Sequence, residues 1–325
     1  MNAPSPTALQ RLKSCFTSAI PAALKTGLWL LLITVPVSFG VLLLKLSGVL
    51  DLLAVVFRPV FGLLGLPADA AVVFVTSCLL NIYSAIAVIG TLGLSGRVVT
   101  ILALMCLISH NLPVESAVQR KAGSSAWRMV ALRLAMAFAA GCALNLLLPA
   151  DAAQAAAAAA PATASAAGLL EEARKWLIGT AWLCGKIMVL ITALMIAERI
   201  LAEFGVTRLL SRLLKYPLML FGLPPSTAFL WVVANTLGLA YGAGVIVDQA
   251  ERGVLSRRDA DLLNRHVAVC HSLLEDTCLF VAIGVSAWWI TIPRLMLAGI
   301  AVWWQRLAEA FRRRREEVPA EGGAA

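Results

Sequence analysis

Two seven-residue segments concentrate the chemistry of this chain: HNLPVES, His110 to Ser116, and HSLLEDT, His271 to Thr277. They share the pattern H-[NS]-L-x-x-[ED]-[ST], which brings together an imidazole, a small polar residue (Asn111, Ser272), an acid and a hydroxyl (Ser116, Thr277). The acids are Glu115 in the first segment and Glu275 with Asp276 in the second. Such a set can ligate a metal, relay protons or hydrogen-bond a solute. The flanking residues are apolar, and an ionisable group at the centre of a membrane helix costs about 2.5 kcal/mol or more. Pro113 is expected to break the first segment and free the carbonyl of Ser109. His271 and Glu275, four residues apart, are expected on one helical face. The spacing leaves open whether a metal is bound.

A second polar group lies on the preceding apolar stretches: Thr76, Ser77, Asn81, Tyr83 and Ser84, then Asn235, Thr236 and Tyr241. Gly238, Gly242 and Gly244 surround the latter set and allow close backbone approach or unwinding. Lys186 sits alone within an apolar run, placed to snorkel or to neutralise an acid. The third histidine, His266, adjoins Arg265 and is expected at the membrane interface.

The elements that must position these residues are membrane helices. Hydrophobic residues make up 60% of the 325 and charged residues only 14%, with a mean hydropathy of +0.86; a soluble core cannot absorb so much apolar surface. Long apolar runs cover about 27–47, 68–92, 97–112, 128–149, 176–200, 226–248, 266–285 and 287–305. Two shorter runs, 51–65 and 207–222, suit short or re-entrant helices.

The chain also repeats itself. Gly65-Leu66-Pro67 recurs as Gly222-Leu223-Pro224 at an offset of 157, where Gly48 also meets Gly205 and Arg58 meets Lys215. After an insertion near Glu251 to Val254 the offset becomes 161, and HNLPVES falls on HSLLEDT. The expected organisation is a cytoplasmic segment (1–24), a first membrane repeat (25–149), an Ala/Pro-rich linker (150–172), a second repeat (173–306) and a basic tail (307–325). If both short runs cross, each half has five spans and the second half is inverted. The clusters at Arg120 to Arg128, Arg208 to Lys215, Arg252 to Arg265 and Arg312 to Arg315 then share the cytoplasmic face with both termini. The expected fold is therefore all-α and polytopic, with about ten spans in two inverted tandem repeats, multi-pass in a bacterial inner membrane.

The net charge of +9 resides in these loops and tails, so it orients the chain in a lipid bilayer and implies no nucleic acid. Seven cysteines without a CxxC pair read as free thiols. Trp288, Trp289, Trp303 and Trp304 read as an interface belt. The first apolar run is too long for a signal-peptide core and is expected to be retained. No HExxH, GxSxG or recognised ligand spacing occurs, so neither an enzyme nor a cofactor is expected.

HSLLEDTCLFVAIG, SHNLPVESAV and the paired Gly-Leu-Pro segments resemble the Gate or "nucleoside recognition" membrane domain shared by concentrative nucleoside transporters, the membrane part of FeoB ferrous-iron transporters and sporulation maturation proteins. The resemblance covers both halves, about 25–305, and implies a helical, transporter-like fold with paired re-entrant elements. The GxxxxGK[ST] loop of the iron transporters' GTPase does not occur. An iron substrate would draw on Cys106 and Cys270 beside the histidines, and a nucleoside on Asn81, Asn235, Glu115 and Glu275. The expected function is transport or permeation of a small polar solute, nucleoside-like or a divalent metal ion, together with a coupling ion. The alternative is a non-transporting scaffold or regulatory subunit that binds a membrane partner. The sequence does not decide whether the chain forms a homo-oligomer.

Overall fold

The computed structural model describes residues 7–94, 96–149, 166–236 and 255–317, together with 238, 245, 246 and 249. Every regular element among them is helical. The chain begins with α1 (Ala8–Leu46), started by Thr7, whose side chain accepts from the Gln10 amide while the Gln10 side chain accepts from the Thr7 amide. The T-x-x-Q pattern is a capping box that satisfies two otherwise orphaned donors. There follow α2 (Val49–Leu63), α3 (Ala70–Leu79), α4 (Ile82–Leu92), α5 (Gly96–Ser109), α6 (Leu112–Lys121) and α7 (Ala126–Leu147). The second half contains α8 (Ala166–Glu203), α9 (Val206–Leu214), α10 (Pro217–Leu220), α11 (Ala228–Thr236), α12 (Arg257–Val269), α13 (Leu273–Val281) and α14 (Ala287–Glu317).

The two halves reproduce one another element by element. Shifted by 157, α1, α2 and α3 fall on α8, α9–α10 and α11; shifted by 161, α5, α6 and α7 fall on α12, α13 and α14. The turns match too, since left-handed backbone occurs at Gly48 and Gly205, Gly65 and Gly222, Gly123 and Gly284, and at Asn111 and Ser272. The equivalent helices α1 and α8 lie side by side and antiparallel. Arg11 at the start of α1 pairs with Glu203 at the end of α8 (2.7 Å), and Lys45 at the end of α1 pairs with Glu172 near the start of α8 (2.7 Å).

Among the described residues five stretches are long and apolar enough to cross a membrane: Ala8–Leu46, Gly96–Lys121 (α5 and α6 together), Ala126–Leu147, Leu169–Glu203 and Ala287–Arg314. Their outer faces carry exposed large apolar residues, among them Leu28, Leu32, Trp182, Val189, Met296 and Trp304. Water would penalise such a surface, whereas lipid tails solvate it. The buried interior is built mainly around α5, all of whose residues from Ile101 to Ser109 are buried.

Several expected spans are not continuous helices. The run 68–92 is broken between α3 and α4, where Asn81 adopts an extended backbone and caps α4 by accepting from the Ser84 amide at 2.9 Å. The run 266–285 is broken between α12 and α13, and 97–112 stops at Ser109. Half-helices of about ten residues cannot span a bilayer singly, but they suit a protein interior where neighbouring groups satisfy their ends. The expected boundaries also shift. Helix α1 starts well before residue 25, α8 starts at Ala166 inside the expected linker, and α14 runs on past residue 306 into the basic tail.

Candidate functional site

The two histidine segments meet in the buried interior. His110 ends the break between α5 and α6, and His271 does the same between α12 and α13; the rings lie 5.0 Å apart with Nε2 facing Nε2 at 3.3 Å. Each break is made the same way. Asn111 and Ser272 adopt left-handed backbone (φ 48° in both), and their amides donate to the carbonyls of Ser77 (2.8 Å) and Ala234 (3.1 Å) on α3 and α11. Pro113 is not the cause: it occupies the first turn of α6, where no amide donor is needed. Leu274 stands in its place in the second half, and the break persists.

Pro113 has no amide to offer the Ser109 carbonyl, and the break also releases the carbonyls of Ile108 and His110. The latter two accept from Arg133 of α7, through Nε and Nη2 at 2.7 Å each. Arg133 Nη1 lies 2.6 Å from Glu115 Oε2, an ion pair whose angle falls short of an aligned hydrogen bond. Arg294 of α14 occupies the equivalent place at the offset of 161, donating to the His271 carbonyl and lying 3.5 Å from Asp276 Oδ2. Both arginines are fully buried. They are the functional residues that motif reading missed, and the repeat offset would have found them as a matched pair of cations inside apolar helices.

Glu115 connects the halves. Its Oε1 is 3.0 Å from His110 Nε2 and 3.3 Å from His271 Nε2. Asp276, its counterpart in the second half, supplies a carboxylate oxygen within 4.8 Å of the histidine ligand atoms. The other ring nitrogens face backbone carbonyls, His110 Nδ1 that of Cys106 (3.2 Å) and His271 Nδ1 that of Val267 (2.7 Å). A carbonyl only accepts, so in each neutral ring the proton resides on Nδ1 and the Nε2 lone pair points into the centre.

The other expected site residues are placed as follows. Glu275 does not share a helical face with His271, because the helix breaks between them; it turns to Tyr83, whose hydroxyl donates to Oε1 at 2.5 Å. Ser116 is buried and Thr277 half-buried beside their acids. Asn235 is buried, with Nδ2 donating to the Trp231 carbonyl and Oδ1 unpartnered. Asn81 is a helix cap. Tyr241, Gly242 and Gly244 lie outside the described residues. Cys106 meets His110 through its backbone carbonyl, and among the described residues neither Cys106 nor Cys270 belongs to the convergent group of His110, His271 and Asp276.

Three expectations at the periphery need revision. His266 is fully buried, not interfacial, and accepts from Trp231 Nε1 at 3.1 Å. Lys186 makes no ion pair among the described residues; its ammonium donates to the Ala282 carbonyl (3.3 Å) and lies over the Trp182 ring. Trp288, Trp303 and Trp304 are exposed as an interface belt requires, but Trp289 packs against the core.

Left-handed backbone costs a non-glycine residue about 1–2 kcal/mol. Ser272→Gly is therefore expected to leave stability unchanged or raise it slightly, and Ser272→Val to lower it by about 1–2 kcal/mol. Thermal unfolding of the detergent-purified variants checks this; equal melting temperatures for Gly and Val would refute the strain.

The chain is 33% identical over 292 residues to the uncharacterized membrane protein YvoD of Bacillus subtilis (strain 168), an alignment covering 88% of this chain and 92% of that protein. It belongs to the YvoD family of membrane proteins. No family profile matches the chain, and no solved structure matches it.

Proposed function

We propose that this YvoD-family protein is a transporter or permease-like protein for a small polar solute, working by alternating access between two inverted repeats. The observation that carries the proposal is the burial of two histidines, two carboxylates and two arginines where the repeat-related helix breaks meet. Ionisable groups held inside a membrane protein are expensive and mark solute or ion paths, and repeat interfaces with discontinuous helices are the usual transporter site. The antiparallel pairing of the equivalent helices α1 and α8 supports inversion. Counting the broken pairs and short helices as crossings yields ten, with both termini cytoplasmic in a bacterial inner membrane. The resemblance to the Gate domain points the same way, and no enzymatic step is assigned.

Cavities at opposite ends of the α5–α6 pair support access from both sides. One, of about 480 Å³, is lined near the start of α5 by Lys45, Gly93, Glu172, Trp176 and Lys186. The other, about 500 Å³, is lined at the end of α6 by Ser116, Arg120 and Lys121. Ser116 Oγ, on a residue lining the second cavity, and Gln119 Nε2 and Oε1 on the same helix are buried without hydrogen-bond partners.

Proteoliposomes containing the purified protein should accumulate a nucleoside or a divalent metal ion above protein-free vesicles when a proton or sodium gradient is imposed. Absence of uptake for every solute under every gradient, with one stoichiometric membrane protein co-purifying, would replace this reading with that of a scaffold or regulatory subunit.

A further inference from the structure

We infer that His110 Nε2, His271 Nε2 and Glu115 Oε1, with Asp276 as fourth ligand, form a binding site for a divalent first-row transition-metal ion. The inference rests on the transporter reading for its meaning, since it would name the class of solute carried, but the site stands on its own geometry.

In the neutral tautomers that the Nδ1 contacts select, three acceptor atoms converge on one point with no donor among them. Both Nδ1 positions are committed to backbone carbonyls, so the two Nε2 atoms present lone pairs to each other at 3.3 Å and to Glu115 Oε1 at 3.0 and 3.3 Å. Facing lone pairs repel unless something positive lies between them. A tetrahedral ion with bonds of about 2.0–2.1 Å holds its ligand atoms about 3.3–3.4 Å apart. The observed triangle, with sides of 3.0, 3.3 and 3.3 Å, therefore matches one face of such a tetrahedron. The Asp276 carboxylate, with an oxygen within 4.8 Å of the histidine ligand atoms, supplies the fourth ligand.

The surroundings are those of a metal centre. Each histidine is oriented by a carbonyl on its far nitrogen, and each carboxylate is held by a buried arginine, the outer contacts that fix ligands in known sites. Two imidazoles with carboxylates select ions of the zinc, iron, cobalt or manganese group over magnesium and calcium, which require oxygen ligands.

The test is titration of the chelator-treated, detergent-purified protein with Co²⁺, following visible absorption, and displacement by Zn²⁺. One Co²⁺ per chain with the intense band of tetrahedral coordination is expected, abolished by Zn²⁺ and untouched by Mg²⁺ or Ca²⁺. His271→Gln and Glu115→Gln should lose the band while retaining helical circular dichroism, and Arg133→Lys should weaken binding by about 10–100-fold. His266→Gln, which changes a histidine outside the centre, should retain the band. A wild-type protein that binds no Co²⁺ or Zn²⁺, or binds them equally well in all variants, overturns the inference and identifies the histidine pair as sharing a proton. Nucleoside uptake without metal binding would overturn the metal site alone. Metal binding without uptake of any solute would uphold the site and overturn the transporter reading.

Discussion

Replacing Arg133 by leucine is expected to destabilise the folded protein by about 3–5 kcal/mol, the range for removing one partner of a buried ion pair. The guanidinium is fully buried and serves three groups at once: the Glu115 carboxylate and the carbonyls of Ile108 and His110. Its loss leaves a carboxylate uncompensated and two helix-end carbonyls unsatisfied in the buried interior. Arg133→Lys should rescue little, because a single ammonium on a flexible stem cannot serve three acceptors held in a planar fork. The double variant Arg133→Leu with Glu115→Leu should recover part of the loss, since the unpaired charge is then gone. Reversible unfolding in mixed micelles measures all three. Simple additivity of the two single substitutions would show that the pair is not coupled as its 2.6 Å contact requires.

Glu115→Gln is expected to reduce solute uptake in proteoliposomes to about a hundredth or less, the equivalent of losing roughly 3 kcal/mol of buried-charge compensation. Among the described residues Glu115 is the carboxylate paired with both histidines, so it joins the two halves where the proposed alternating access would separate them. Glu275→Gln should have a smaller effect, because that carboxylate is turned toward Tyr83. Tyr83→Phe should reproduce the smaller effect, since both substitutions weaken the same contact, Phe by removing the donor and Gln by replacing the charged acceptor with a neutral one. Equal losses for Glu115→Gln and Glu275→Gln, with thermal stability unchanged in both, would show that the solute path does not run through the histidine pair.

Much of the site was legible because it is duplicated. His110 and His271, Glu115 and Asp276, and Asn111 and Ser272 fall together at one offset, and each pair occupies the same place in its half. The same offset joins Arg133 to Arg294, but each arginine stands alone in a long apolar run, without a motif around it, and single cations at such places most often snorkel. Their role becomes visible only with the carbonyls they serve. The choice between Glu275 and Asp276 was likewise hidden: four-residue spacing points to Glu275 only if the helix is continuous, and it is not.

What the sequence by itself determined is the apolar inventory, the repeat and the residue types brought to the centre, because hydropathy and self-similarity are properties of the chain alone. What only the tertiary structure decided is where the helices break and which way the polar groups then face. Ser272 has no intrinsic preference for left-handed backbone and no proline beside it. It breaks its helix because the Ala234 carbonyl takes its amide and Arg294 takes the neighbouring carbonyl, both contacts reaching across the fold. Membrane interiors offer no water to end a helix, so the partners that end it must come from other elements, and no local pattern records them.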